Sequence, residues 1–161
     1  MRKALFLGLA AVTVTALVVV AGGLAGTSAP TFGKMTKAVK ISTRKLPKLG
    51  TVLVNSKGLT LYMFVPDKRK RVTCKGACAV VWPPVKLPKG AKPVAAGKVK
   101  RRLLGSDRNP AGGRVVTYNR WPLYTYVADR RPGQAKGQAL NLNGGLWYVL
   151  APSGKVIRKK P

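Results

Sequence analysis

With 161 residues, 31 Lys and Arg, three Asp and neither Glu nor His, the chain carries a formal net charge of +28. The missing residue types remove the commonest general bases and metal ligands. No Gly-rich phosphate loop or G-x-S-x-G elbow replaces them, so enzymatic chemistry is disfavoured and no metal or cofactor site is expected.

The N-terminus reads as an export signal. Arg2 and Lys3 precede an apolar run over residues 4–20, and the small residues of 21–29 offer cleavage after Ala25 or Ala29. Pro30 opposes the second site, and the stretch 4–26 reaches the roughly 20 apolar residues that a bilayer span needs. Residues 1–29 are therefore a signal peptide or an uncleaved membrane anchor. Both readings send the remainder across the membrane, to the extracellular space or the outer face of the cytoplasmic membrane. Residues 30–49, with Lys34, Lys37, Lys40, Arg44, Lys45 and Lys48, read as a basic linker.

Residues 50–158 form the folded part. "TVLVN" at 51–55 is a short strand, "SKG" at 56–58 a turn, and 59–65 a returning strand that Pro66 ends. Cys74 and Cys78 are the only cysteines. After export a close pair is most simply a disulfide, and so short a loop is worth about 2 kcal/mol. A redox-active dithiol and metal or cofactor attachment are the alternatives, although the spacing is one residue longer than C-x-x-C and no His lies near to lower a thiol pKa. Residues 94–104 have room for a helical turn or two, against which Gly97 and the local charge weigh. A second hairpin follows, with a strand at 114–118, a turn at 119–120 and a return over 121–127. A closing hairpin occupies 147–158, and 159–161 is a basic tail. The whole predicts an all-β fold of seven or eight short strands in a small sandwich or barrel.

The chain repeats itself. "LYMFVPD" at 61–67 returns as "LYTYVAD" at 123–129, placing two of the three acids, Asp67 and Asp129, at the ends of the copies. Further on, Gly76 matches Gly137 and Trp82 matches Trp147, while both cysteines match alanines. Repeat one spans about 50–85 and repeat two about 113–151. In an extended run Tyr62 and Phe64 share one face and Leu61, Met63 and Val65 the other. Both faces are apolar, as in a strand buried on both sides, and Tyr124 with Tyr126 against Leu123 with Val127 repeats the pattern. These aromatics read as core, with an exposed platform for a ring-shaped ligand as the alternative. Asp67 and Asp129 are expected to close a turn by accepting backbone N–H bonds, with the cations that follow favouring their ionised form. A ligand-binding role is the alternative.

"LYMFVPD" with "CKGACAVVWPP", and "VVTYNRWPLYTYVAD" with "RPGQAKGQALNLNGGLWYVLAPSG", resemble the secreted-repeat family of predicted bacterial lipoproteins with a Tyr-x-(Phe/Trp/Tyr)-x-x-Asp motif. The resemblance covers roughly residues 50–154. It implies an exported, envelope-associated protein of tandem repeats and no established reaction. Such relatives often carry a lipobox cysteine, whereas no Cys precedes Cys74, so lipidation at an N-terminal Cys is not expected.

Charge is the remaining signal. Without Arg2 and Lys3, 29 cations face three acids, a net +26. The cations cluster at Lys68, Arg69, Lys70 and Arg71, at Lys98, Lys100, Arg101 and Arg102, at Arg130 and Arg131, and at 158–160. Self-repulsion of this size destabilises a compact state unless something neutralises it. The expected partner is an anionic envelope polymer or acidic lipid surface, with sequence-independent nucleic-acid binding in vitro; a solubility feature is the plain alternative. An extracytoplasmic redox accessory using Cys74 and Cys78 and a small-molecule binding module are the rival functions.

Overall fold

A computed structural model describes residues 38–69 and 71–161. The signal or anchor at 1–29, the start of the linker and Lys70 lie outside the described residues. The rest of the linker is not a tether. Val39–Leu46 forms strand β1, antiparallel to β2, Gly50–Asn55, with Ile41 opposite Asn55 and Leu46 opposite Gly50. Three of its eight residues are cations, but Ile41 and Leu46 are buried and Lys40, Arg44 and Lys45 face solvent. Two apolar anchors suffice here because β2 supplies partners for the backbone.

The turn after β2 forms as its residues dictate. Asn55 Oδ1 accepts the N–H groups of Lys57 and Leu59, and Gly58 takes the left-handed conformation at φ +75°. The returning run pairs back only as far as the Leu61 N–H to Leu53 carbonyl bond. Then it leaves. Strand β3, Tyr62–Phe64, instead joins β10, Gly145–Val149, with Phe64 opposite Trp147 and Tyr62 opposite Val149. Pro66 sits in a single 3-10 turn, Val65–Asp67.

Between these strands lie α1 (Ala77–Val81), β4 (Lys86–Leu87), β5 (Pro93–Ala95), β6 (Leu104–Arg108), β7 (Arg114–Tyr118), β8 (Trp121–Pro122) and β9 (Asn141–Leu142). Helix α1 was not expected, because five residues are too few to show a helical period. It starts inside the Cys74–Cys78 loop, so the bridge ties its first turn to the extended residues before it. Where one or two helical turns had room at 94–104, the chain makes a 3-10 turn, Arg101–Leu103, and the end of β5.

Three small sheets result, in the orders β2-β1-β5, β3-β10-β9 and β4-β7-β6, with β8 also on β7, and they do not close into a barrel. Each repeat supplies an antiparallel hairpin, β1–β2 or β6–β7, and a returning run. The tails are exchanged. Residues after Trp82 enter the sheet of repeat two, through Val85 N–H to Leu123 carbonyl, Val116 N–H to Val85 carbonyl, and β4 on β7. Residues around Trp147 enter that of repeat one, through β10 on β3 and Leu53 N–H to Leu150 carbonyl. Alternation along β3 sorts the core into two clusters. Leu61 and Met63 join Leu53, Val116, Leu123 and Leu150, while Tyr62 and Phe64 join Trp82, Tyr124 and Trp147. Each fully buried side chain of this kind contributes about 1.5–3 kcal/mol.

Candidate functional site

The two heptapeptides meet at Tyr62 and Tyr124. The Tyr62 N–H donates to the Tyr124 carbonyl at 2.9 Å and the Tyr124 N–H to the Tyr62 carbonyl at 3.0 Å, an isolated antiparallel bridge. Equivalent residues facing each other define an approximate two-fold axis between the repeats. The phenols then cross it. Tyr62 Oη–H donates to Asp129 Oδ2 at 2.5 Å, and Tyr124 Oη–H donates to Asp67 Oδ2 at 2.7 Å. The second oxygen of each carboxylate serves the loop after its own heptapeptide. Asp67 Oδ1 accepts the N–H and the hydroxyl of Thr73 at 2.8 and 2.7 Å; Asp129 Oδ1 accepts the Lys136 N–H at 2.9 Å.

The local bonds are those the sequence led one to expect. The bonds across the axis are not, because spacing along a chain cannot say which copy of a tyrosine will meet which copy of an aspartate. One expectation is corrected. Nearby cations do not govern Asp67: burial pushes its carboxyl above the ordinary value of 3.8, against the hydrogen bonds from Tyr124 and Thr73, which lower it. Asp67 is fully buried whereas Lys68, Arg69 and Arg71 stand in solvent, so desolvation outweighs screened attraction. Burial, reinforced by the bonded carboxylates, pushes the Tyr62 and Tyr124 phenols well above their ordinary 10.0, so both remain donors.

Around this centre the rings form a column. Phe64 stacks on Trp147 at 4.1 Å, Trp147 on Trp82 at 3.8 Å with planes 2° apart, and Trp82 on Tyr126 at 4.1 Å. Tyr62 and Tyr124 meet Trp82 and Trp147 edge-on at 5.4 and 5.2 Å. Each outer ring thus packs on the tryptophan of the other repeat. No platform is presented to solvent: Tyr62, Phe64 and Tyr124 are buried and Tyr126 is half-buried. Val127, expected on the inner face, is 51% exposed, because Thr125 and Val127 bond the carbonyls of Pro83 and Val81 and carry the run outward. The symmetry fails at the indole nitrogens. Trp147 Nε1–H reaches the Leu142 carbonyl at 2.9 Å, but Trp82 Nε1–H has no partner among the described residues. Repeat two owes its acceptor to the extra turn at 141–144, which repeat one lacks.

Cys74 and Cys78 form a disulfide with their Cα atoms 5.3 Å apart, Cys74 buried and Cys78 partly so. Lys68, Arg69, Arg71, Lys98, Lys100, Arg101, Arg102, Arg130 and Arg131 are all exposed. Lys68 and Arg69 turn through left-handed φ values of 38° and 42°, which projects this cluster on a tight loop. With Asp67 and Asp129 buried, Asp107 is the one acidic side chain left near the surface. Two cations outside the predicted clusters, Lys75 and Arg108, join Arg71 in one cleft. They are isolated in sequence, so no run of charge marks them. Among the described residues no group of three or more His, Cys, Asp or Glu could hold a metal, and no helix is long and apolar enough to cross a membrane.

A family model described as a secreted repeat of unknown function matches the sequence twice, over residues 43–86 and 106–151. Both matches begin inside the first strand of a hairpin, β1 or β6. No curated protein and no solved structure matches the chain.

Proposed function

The chain belongs to the family of secreted repeats of unknown function, and from that membership we propose that it is an exported, envelope-associated, non-enzymatic β domain that adheres to anionic surface polymers or lipids through its cations. One observation carries the reading. A net charge of +28 comes with only three acids, and the fold withdraws two of them, Asp67 and Asp129, into its interior to join its halves. The surface is left with exposed clusters at Lys68 to Arg71, Lys98 to Arg102 and Arg130 with Arg131, where Lys70 is taken from sequence alone. A surface so predominantly of one sign attracts polyanions by releasing their counterions and needs no pocket or base-specific contact. Equilibrium binding of the full-length chain to poly(glycerol phosphate) and to uncharged dextran tests this. Binding to the first alone is expected; equal binding to both, or binding to neither, overturns the proposal.

A further inference from the structure

The cations are not all equivalent. A cleft of about 430 Å³ is lined by Arg71, Val72, Lys75, Asp107, Arg108 and Pro110, within the size range of small-ligand sites. It brings three cations and one carboxylate together from two segments far apart in sequence.

Both walls are fixed from behind. On one, residues 71–75 alternate between exposed and buried, so Arg71 and Lys75 face outward while Val72 and Cys74 are packed in. Thr73 is tied to the buried Asp67 through its N–H and its hydroxyl, and Cys74 is tied to Cys78 by the disulfide. The other wall is the end of β6, where Arg108 pairs with Arg114 of β7, and the turn that follows it. Asn109, itself buried, accepts the Ala111 N–H at its Oδ1 and the Gly112 N–H at its carbonyl, and its own N–H reaches the Gly113 carbonyl. The cations are thus carried on backbone held before any ligand arrives, which lowers the entropy lost on binding.

The geometry points to a specific anion site in this cleft, for a phosphodiester that also bears a free hydroxyl, as a polyol-phosphate polymer or a glycerol-phosphate lipid headgroup displays. The inference rests on the polyanion reading and gives it a locus. Arg71, Lys75 and Arg108 supply charge-assisted donors to the phosphate oxygens. Asp107 would repel a bare phosphate, so its presence among three cations selects a ligand with a hydrogen to donate. Asp107 Oδ1 accepts the Arg108 N–H at 2.8 Å, and its second oxygen makes no hydrogen bond among the described residues.

The test compares the full-length chain, kept soluble in neutral detergent, with two variants of equal charge. One is Arg71→Gln with Lys75→Gln and Arg108→Gln; the other is Lys40→Gln with Lys45→Gln and Lys155→Gln, exposed cations outside the cleft. On poly(glycerol phosphate) or on vesicles containing phosphatidylglycerol, the cleft variant should lose at least about tenfold more affinity than the other. The arm that shows the loss names the source of the ligand. On poly(styrene sulfonate), which has neither phosphate nor hydroxyl, the two should lose equally. Asp107→Asn should weaken phosphodiester binding although it raises the net charge. Equal losses in both phosphodiester arms, or tighter binding by Asp107→Asn, overturn the site while leaving general polyanion adhesion intact. Failure of the wild type to bind any of these anions overturns both. If the cleft variant does not fold, amide shifts of the wild type on adding glycerophosphoglycerol, a phosphodiester with free hydroxyls, decide: the signals of Arg71, Lys75 and Arg108 should move first, and their silence while others move overturns the site.

Discussion

At Tyr62 and Tyr124 a hydroxyl proton is given to a carboxylate of the other repeat, so the four side chains work as two crossed pairs and not as two local turns. Tyr62→Phe and Tyr124→Phe should each cost about 1–3 kcal/mol in denaturant unfolding, since each leaves a buried carboxylate oxygen short of a donor. Asp67→Asn and Asp129→Asn should cost a similar amount. Double-mutant cycles should couple Tyr62 with Asp129 and Tyr124 with Asp67 by about 0.5–3 kcal/mol; coupling of Tyr62 to Asp67 instead would contradict the crossing. The raised Asp67 pKa sets a sign as well. The folded state holds this proton more tightly than the unfolded one, so stability from Asp67 is fully present below the ordinary value of 3.8 and is lost as pH rises through the native value. Unfolding free energies of wild type and Asp67→Asn, compared from about pH 3 upward, should show the wild type losing ground as pH rises. The two heptapeptides and the burial of Tyr62, Phe64 and Tyr124 were legible in sequence, whereas the outward course at Val127 was not. The crossing was not, because within-repeat and between-repeat pairings have the same residue types and the same spacing.

Each repeat's tail is a strand of the other's sheet, so neither can complete its own core, and the structure should unfold as one unit. The crossing brings Gly137 against Trp82, where an added Cβ would lie 2.6 Å from the indole ring and 3.0 Å from Tyr62. Gly137→Ala should therefore cost about 1–3 kcal/mol by overpacking, and a wild-type melting temperature would argue against the close approach of the halves. Reduction of the disulfide is a milder event. Its loop is short, so reduction should cost no more than about 2 kcal/mol and leave the β signal in circular dichroism. At this scale the sequence revealed the first turn and the closing hairpin, because Asn55, Gly58 and Gly154 mark them. It hid β1, whose two apolar anchors are outnumbered by cations, and α1, which is too short for a period. It also hid where the returning strand changes partner, since Leu59 to Val65 reads as one continuous run while only its first half pairs with β2.

For the whole molecule, the burial of two acids out of three ties the fold to the surface field: the residues that join the repeats are the ones that would otherwise have offset the cations. The net charge was plain from composition, as were the clusters. Their exposure followed from solvation cost, but the cleft uniting Arg71, Lys75 and Arg108 arises only when the disulfide loop meets the β6–β7 turn. If polyanions are held by about four to six phosphate contacts, log affinity must fall linearly with log salt, because binding releases condensed counterions. The most direct measurement is the affinity of the full-length chain for a duplex DNA of arbitrary sequence and for poly(glycerol phosphate), between about 50 and about 200 mM salt. Affinity should drop by roughly two to three decades with little dependence on base sequence, and replacing Lys68, Arg69, Lys70 and Arg71 with Gln should flatten the slope without unfolding the domain. Salt-insensitive, sequence-selective binding, or no binding even at low salt, would contradict adhesion through surface charge.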